Sequence, residues 1–153
     1  MSLDIPRVLD RLSYRYPSLL VDAVTEHDPG SRMVAVKNVT VNEEYFQGHF
    51  PGTPLMPGVM MIESLAQVAT LLLLADDSDD GSGDARAVLK RVDNAKFRRQ
   101  VLPGDQLSLE VVVRERSTVE AVVHGVAKTG NQVVAQADLL IGFEYDASNI
   151  HDT

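Results

Sequence analysis

Residues 57–75 have the sequence PGVMMIESLAQVATLLLLA, and this stretch decides the fold. Pro57 suits the start of a helix, because the first helical turn needs no N–H from it. Apolar residues fall on nearly every side of the helix that follows, so the rest of the chain must cover it. The stretch approaches membrane-spanning length, but polar residues interrupt it and no basic residues flank it. The pattern therefore predicts one long buried helix and no membrane segment.

The segments on either side of this helix have the patterns of antiparallel strands. Two are expected before it, at 18–26 and 33–41, joined by the turn Asp28-Pro-Gly30. Three alternating segments follow it, at 107–113, 119–128 and 133–141. A short amphipathic helix is expected over 5–12. One helix with several long antiparallel strands predicts an α+β fold in which a strongly bent sheet wraps the helix, the arrangement known as a hotdog.

The length of 153 residues suits a single domain over 1–153, with enough chain for one sizeable core. The chain has no cysteine, which excludes disulfides and thiol chemistry. The first 20 residues lack a basic start followed by an apolar run, so we expect a cytoplasmic location. Residues 76–84 contain five aspartates and no apolar residue, which predicts a mobile loop. The tail from 146 is expected to fray.

The net charge of −8 argues against a nucleic-acid-binding protein. The distribution of charge is more informative. Between 86 and 99 the chain has six of its fourteen basic residues and one acid, Asp93, which gives a local charge of +5. The six basic residues are Arg86, Lys90, Arg91, Lys96, Arg98 and Arg99.

Glu63 is the only charged residue between Phe50 and Asp76. Gln67 and Thr70 follow it at helical spacing, so the three share one narrow polar stripe. An apolar wall disfavours the ionised form of a carboxyl, which suits a general acid near neutral pH, and Gln67 could hold that carboxyl by a hydrogen bond. A structural alternative is that Glu63 faces water or pairs with a buried arginine. On the helix alone, both interpretations stay open.

His49 lies in Gly48-His-Phe-Pro-Gly52, where the glycines permit unusual backbone angles and Pro51 stiffens the loop. Most single histidines are satisfied surface or core residues, but a constrained loop just before a helix favours a presented imidazole. Its ordinary pKa of about 6.5 suits a general base. Backbone N–H groups at the helix start lack internal partners, and Gly58 lets a ligand oxygen approach them. A base, an acid and a carbonyl-polarising group predict proton abstraction beside a carbonyl with loss of a hydroxyl.

The other polar residues give weaker signals. His27, His124 and His151 are expected in a turn, a strand and the tail, without metal-ligand spacing, so we predict no metal. No glycine-rich phosphate loop follows a strand, and no cofactor is indicated. Asp22 and Asp105 are expected to have turn or capping roles.

The chain resembles the β-hydroxyacyl-[acyl-carrier-protein] dehydratases of the FabZ type, from about residue 12 to residue 141. Seven separated blocks carry the resemblance: Tyr16-Pro-Ser-Leu-Leu-Val-Asp22, Lys37-Asn-Val-Thr-Val-Asn42, Phe46-Gln-Gly-His-Phe-Pro-Gly52, Met56-Pro-Gly58, Glu63-Ser-Leu-Ala-Gln67, Ala95-Lys-Phe97 and Pro103-Gly-Asp105. It implies a hotdog dimer with two shared sites, often assembled further as a trimer of dimers. It also implies that His49 of one subunit and Glu63 of the other act together.

The implied reaction converts a (3R)-hydroxyacyl thioester into a trans-2-enoyl thioester, in fatty acid biosynthesis or a related pathway. His49 removes the C2 proton, Glu63 protonates the departing 3-hydroxyl, and the Gly58 N–H polarises the carbonyl. The implied partner is an acyl carrier protein with a phosphopantetheine-linked acyl chain. Such carriers are acidic, so the basic window would attract one. The docking candidates are Lys96, Arg98 and Arg99. The alternative is a solvated edge strand whose charges block aggregation.

The sequence departs from the family at two places. Tyr14 stands where relatives usually have histidine, and Ala87 and Val88 stand where relatives often have paired tyrosines. We therefore expect that a tyrosine gate over the acyl tunnel is absent. Two other functions remain as alternatives: a hotdog acyl thioesterase, and a non-catalytic acyl-binding subunit.

Overall fold

The computed structural model describes residues 5–75 and 85–145, so the expected mobile loop and frayed tail lie outside the described residues. The described elements follow in chain order: helix α1 Ile5–Arg11, strands β1 Ala23–Asp28 and β2 Arg32–Asn38, a 3-10 turn Glu44–Gln47, helix α2 Gly58–Leu74, and strands β3 Ala85–Phe97, β4 Gln106–Arg116, β5 Glu120–Thr129 and β6 Gln132–Tyr145.

The strands form one antiparallel sheet in the order β1-β2-β4-β5-β6-β3. Helix α2 contacts β2, β3, β4, β5 and β6, so it lies against almost the whole sheet. Its leucines at 65, 71, 72 and 73 are fully buried. The predicted hotdog arrangement, one long helix covered by an antiparallel sheet, is confirmed.

A glycine on the sheet brings α2 close to β5. A Cβ at Gly125 would lie 3.1 Å from Cδ1 and 3.3 Å from Cβ of Leu65, which is fully buried. This separation is tighter than ordinary van der Waals contact, so the helix packs on the sheet at this level only because the glycine has no side chain. Helix α2 is thereby fixed against the middle of the sheet.

Several predicted boundaries were wrong near the loops. The first strand begins at Ala23 rather than at 18, because residues 15–18 form a turn in which Ser18 N donates to Arg15 O at 2.8 Å. The second strand ends at Asn38, since Val39 N leaves the ladder and donates to Asp105 O at 2.9 Å. His27 was expected in a turn but lies in β1, paired with Met33.

The basic window from 86 to 97 lies in β3, an edge strand of the described sheet, as the structural alternative predicted, while Arg98 and Arg99 follow the end of that strand. Its pairing with β6 is irregular at two places, between Leu89 and Arg91 and between Asp93 and Lys96. No helix in the described part of the chain is long and apolar enough to cross a membrane.

Candidate active site

The loop that carries His49 is closed by its own backbone. His49 O accepts from Leu55 N at 2.9 Å, and Phe50 and Thr53 exchange backbone hydrogen bonds of 3.0 and 2.9 Å. His49 N donates to Tyr45 O at 3.1 Å, which ties the loop to the preceding 3-10 turn. These backbone hydrogen bonds hold the main chain of the loop in place, and with it the point from which the His49 side chain extends.

The 3-10 turn is itself anchored by a buried ion pair. Lys37 Nζ lies 2.5 Å from Glu43 Oε1, and the two side chains are 5% and 17% exposed. Lys37 Nζ also donates to Asn38 O at 3.0 Å. Strand β2 therefore holds the start of the segment that leads to His49.

The His49 imidazole has a defined tautomer. Its Nδ1 lies 2.8 Å from Leu55 O. A carbonyl oxygen can only accept, so Nδ1 carries the hydrogen and Nε2 keeps a free lone pair. The ring is half-buried and stacks on Phe50 with centroids 4.1 Å apart. The side chain is therefore prepared to accept a proton at Nε2, and sequence reasoning missed the orienting role of Leu55.

Helix α2 begins at Gly58, one residue later than predicted, with Pro57 as its N-cap. No side chain caps this end and no acidic residue lies in the first turn. Met60 N already donates to Pro57 O at 2.9 Å, whereas the N–H groups of Gly58 and Val59 have no described partner and remain donors for an oxygen atom brought to them.

Phe97, at the end of β3, explains why position 58 is a glycine. A Cβ at Gly58 would lie 2.8 Å from Cε1 of the Phe97 ring. The glycine therefore admits an aromatic ring against the helix start, in addition to any ligand. The ring is 52% exposed in the chain. Sequence reasoning gave Phe97 no role, although it lies in one of the blocks that carry the resemblance.

Glu63 is half-buried on the second turn of α2, and Gln67 holds it as predicted. Gln67 Nε2 donates to Glu63 Oε1 at 3.1 Å. The same amide donates to Ser18 O at 2.8 Å and accepts from Leu20 N at 2.9 Å. Gln67 is only 1% exposed, so this amide joins the loop before β1 to the candidate acid. The third residue of the polar stripe, Thr70, instead donates to Ala66 O within the helix.

Tyr14 is a second neighbour of Glu63. Burial raises the pKa of the Tyr14 phenol, and the charge of Glu63 and hydrogen bonding with it add to the effect. Tyr14 therefore remains protonated at neutral pH. In the sequence, Tyr14 stands out only as a departure from the family, whereas its burial and its electrostatic interaction with Glu63 depend on the fold.

His49 and Glu63 have separate surroundings in one chain. The described hydrogen bond of the Glu63 side chain is with Gln67, and the described side-chain contacts of His49 are with Leu55 and Phe50. Across 5–75 and 85–145, no hydrogen bond or ion pair joins the two side chains, and Glu63 has no arginine partner.

The three docking candidates differ from their basic neighbours. Arg86 and Lys90 pair with Glu144 at 3.7 and 3.0 Å, and Arg91 pairs with Asp93 at 2.6 Å. The other three basic residues of the window are exposed and have no ion pair with a described carboxylate. These three are Lys96, Arg98 and Arg99. They form the part of the window whose charge is not neutralised by a carboxylate of 5–75 or 85–145.

The remaining polar residues have structural contacts. Asp105 accepts from Leu102 N at 2.9 Å, which is the turn role predicted for it. Asp22 instead accepts from Asn38 N at 2.6 Å, across 16 residues, because the end of β2 lies beside it, so the prediction of a local turn or capping role for Asp22 was wrong. His124 Nδ1 lies 2.7 Å from Asp138 Oδ1. The described residues include no group of three or more side chains suited to hold a metal ion.

Comparisons with known proteins agree with these features. The family of FabA-like domains matches residues 12–138. A protein of Shewanella loihica named 3-hydroxyacyl-[acyl-carrier-protein] dehydratase FabZ is 44% identical over 140 residues, which cover 91% of each chain. A protein of the same name from Clostridium acetobutylicum is 44% identical over 139 residues, which cover 91% of this chain and 96% of its own.

Among solved structures, a chain of the dehydratase heterocomplex ApeI:P from Xenorhabdus doucetiae is similar with a TM-score of 0.74. It is 14% identical and the match covers 94% of this chain and 93% of that chain. At this identity the likeness shows the fold, while the curated relatives and the family match show descent. The chain belongs to the FabZ family of 3-hydroxyacyl-[acyl-carrier-protein] dehydratases, within the FabA-like domains.

Proposed function

We propose that the protein dehydrates (3R)-hydroxyacyl-[acyl-carrier-protein] to the trans-2-enoyl form. One observation carries the proposal: the Nδ1–H of His49 is committed to the Leu55 carbonyl, which leaves Nε2 as a base next to an uncapped helix start. The FabZ family to which the chain belongs is named for this substrate and reaction. Fatty acid biosynthesis, or a related pathway, is the proposed setting, and the cytoplasm is the proposed location.

In this mechanism His49 Nε2 removes a proton from C2 of the acyl group. The negative charge that develops on the thioester oxygen is stabilised by the Gly58 N–H at the start of α2. Glu63 gives its proton to the 3-hydroxyl, the C3–O bond breaks, and water leaves. The proton taken by His49 and the proton given by Glu63 balance the loss of one water molecule. No cofactor is needed, because acid–base groups supply every step.

The active site is proposed to form between two subunits, with His49 from one and Glu63 from the other. The separate surroundings of these two side chains within one chain support this arrangement. Strand β3 offers the surface: it is a 13-residue edge strand with Leu89, Val92 and Phe97 exposed. A long edge with apolar side chains favours pairing with a second copy. We propose a homodimer, assembled further as a trimer of dimers.

The carrier protein is proposed to dock on the charges that β3 and the following residues leave unpaired. The chain has a net charge of −8, so an acidic carrier is repelled by most of its surface. Local positive charge without internal ion pairs is what such a partner would need. The proposed docking residues are Lys96, Arg98 and Arg99.

The reaction is tested with purified protein and a 3-hydroxyacyl thioester, by following enoyl absorbance and free thiol together. We expect enoyl product without thiol release, and His49→Ala should abolish turnover while the protein stays folded and oligomeric. His124→Ala is the matched control, because that imidazole contacts only Asp138 among the described hydrogen bonds. Thiol release without enoyl product would instead identify a thioesterase. Binding of the thioester with neither product would identify a non-catalytic acyl-binding subunit.

A further inference from the structure

Strand β3 contains a β-bulge shortly before its end. Between the pairs Asp93–Asp138 and Lys96–Gln136, β3 has one residue more than β6, so two of its residues stand opposite one. Asn94 lies inside this bulge and has a φ of 53°, in the left-handed region that asparagine enters more readily than most other residues. The chain therefore accommodates the extra residue through an unusual backbone conformation at Asn94.

The Asn94 side chain is tied to the neighbouring strand. Its Nδ2 donates to Asp138 Oδ2 at 3.1 Å. The other carboxylate oxygen, Asp138 Oδ1, lies 2.7 Å from His124 Nδ1 on β5. A hydrogen bond to a charged acceptor is stronger than one between neutral groups, so Asp138 anchors the bulge to the sheet. The two bonds use different oxygens, and His124→Ala therefore leaves the bond to Asn94 in place.

The place of the bulge decides which face of the sheet the end of β3 presents. Residues opposite each other in an antiparallel pair lie on the same face. Phe97 is opposite Ala135, which is fully buried in the core that α2 covers. If the extra residue were accommodated after Phe97 instead, Lys96 would take the place opposite Ala135, since a shift of one residue moves every side chain to the other face. Phe97 would then lie away from α2.

From this face the Phe97 ring reaches the start of α2. Three ring carbons, Cε1, Cδ1 and Cζ, lie within 3.3 Å of the point where a Cβ of Gly58 would be. The segment after β3 is also joined to the residues that lead into the helix, because Met56 N donates to Val101 O at 2.9 Å. About half of the ring surface remains exposed in the chain. The Gly58 N–H has no partner among the described residues, so ring and donor are both available to one ligand.

We propose that Asn94 is a positioning residue for the carbonyl-polarising end of the site, because it fixes the bulge that places the Phe97 ring against Gly58; this role rests on the dehydration proposed above. The exposed part of the ring then forms an apolar wall beside the Gly58 N–H. Such a wall excludes water, and a hydrogen bond to developing charge is stronger where water is excluded. The wall also directs the thioester carbonyl to its donor. Asn94 itself touches no reacting atom and acts through Phe97.

The first test compares Asn94→Val and Asn94→Gly with a matched control, Asn38→Val. Valine resists a positive φ and cannot bond to Asp138, whereas glycine accepts that φ but lacks the side chain. Asn94→Val should lower kcat roughly 10- to 100-fold, the effect of losing a hydrogen bond to a charged group, with KM within about threefold. Asn94→Gly should lie between Asn94→Val and the wild type. Asn38 is an exposed strand asparagine that accepts from Gln106 Nε2 at 2.8 Å, so Asn38→Val loses a side-chain bond away from the bulge and should match the wild type.

A second comparison asks whether Asn94 acts through Phe97. Phe97→Leu removes the ring and should lower kcat by a similar factor. If Asn94 serves to place this ring, the double variant Asn94→Val/Phe97→Leu should be no slower than the slower of the two single variants. A double variant in which the two losses multiply overturns the proposal. Wild-type kcat in either single variant overturns it as well.

A third measurement reads the register of β3 without turnover. The chain has no cysteine, so two introduced cysteines are its only thiols. Lys96→Cys with Gln136→Cys places them opposite each other on one face, within reach of a disulfide under mild oxidation. Free-thiol titration should show this cross-link forming roughly tenfold more slowly when Asn94→Val is added, because a register shift takes the thiols to opposite faces. Ser108→Cys with Lys128→Cys, a pair between β4 and β5, should close equally with and without Asn94→Val.

An unchanged rate of the first cross-link in Asn94→Val overturns the role of the bulge. Loss of both cross-links would report that Asn94→Val does not fold, and Asn94→Gly then decides: its kcat and its first cross-link must both be slower than in the wild type, and wild-type values overturn the proposal. A wild type that makes no enoyl product would refute the proposed function instead, and the cross-linking result on the register would still stand.

Discussion

Replacing Gln67 by leucine tests whether one buried amide supports both the fold and the candidate acid. Leucine has a similar volume but no polar atom, so the change removes hydrogen bonds and leaves packing nearly intact. Gln67 is 1% exposed, and its partners are Ser18 O, Leu20 N and Glu63 Oε1. The expected loss is therefore that of buried groups left without partners.

The magnitude follows from where the orphaned groups lie. An unsatisfied buried group costs about 1 to 3 kcal/mol. Leu20 is 1% exposed, so its N–H is at the upper end of that range, whereas Ser18 is exposed and water can reach its carbonyl. Together they predict a loss of about 4 kcal/mol in the free energy of unfolding, a large part of the roughly 5 to 15 kcal/mol typical of a domain.

The assay is urea denaturation followed by circular dichroism, at one fixed protein concentration because an oligomer's stability depends on it. Thr70→Val is the matched control, since the Thr70 hydroxyl bonds only to Ala66 O of its own helix. It should change stability by less than about 1 kcal/mol. A loss in Gln67→Leu no larger than in Thr70→Val would refute the claim that this amide joins the loop before β1 to the helix.

Three further outcomes are expected. Lys37→Met should destabilise the chain by about 3 to 5 kcal/mol in urea, because it leaves a carboxylate buried without its partner; a loss below about 1 kcal/mol would contradict the anchoring role. The pKa of Asp138 is lowered, first by its hydrogen bond from His124, so its contribution to stability is present above the unfolded value and is lost as pH falls below about 4. Asp138→Asn should flatten that acid limb in urea midpoints measured from about pH 6 to pH 3, and a wild-type slope counts against the pair. Arg98→Glu should raise KM for the acyl carrier protein at low salt and lose this effect at high salt, whereas Arg86→Glu, already ion-paired in the wild type, should change KM less; equal effects would remove the docking assignment.

Sequence periodicity was sufficient to predict the elements whose side chains meet the core at a regular repeat. Residues 57–75 are apolar on nearly every side, and α2 occupies 58–74 of them. The alternating segments at 107–113 and 133–141 lie within strands, and the segment at 119–128 matches β5 except for its first residue. These patterns persist because each side chain meets the core at a fixed helical or strand repeat.

Periodicity failed for β3 for a physical reason. Two irregularities in its pairing with β6 each shift the register, so the side chains that face the core do not alternate along the whole strand. A run of exposed basic residues is also as typical of a loop or a docking surface as of an edge strand. The sequence pattern of the basic window therefore predicts an edge strand only as one of two alternatives.

Predictions also failed where long-range hydrogen bonds replace local ones. Residues 18–22 are rich in leucine and valine, which favours a strand, yet Leu20 N is bonded to Gln67 instead of to a neighbouring strand. Leu20 and Gln67 are 47 residues apart in sequence, so no local pattern could show this hydrogen bond. Tyr14 is a parallel case: the sequence shows the unusual residue, but only in the fold do burial and the charge of Glu63 raise the pKa of its phenol.

The side chains of His49 and Glu63 are oriented by different kinds of contact, and this difference affects how the two groups can be brought together. His49 is oriented by a backbone carbonyl in a closed loop, which depends on the chain around it and hardly on neighbouring side chains. Glu63 is held by the side chain of Gln67, one turn further along the same helix, and that amide is in turn bonded to the backbone of Ser18 and Leu20 in a separate segment. Each group is thus ordered within its own chain. In the proposed dimer, assembly would therefore bring an oriented base to an oriented acid without reorganising either, and activity would depend on the oligomer although a single chain encodes the geometry of each half.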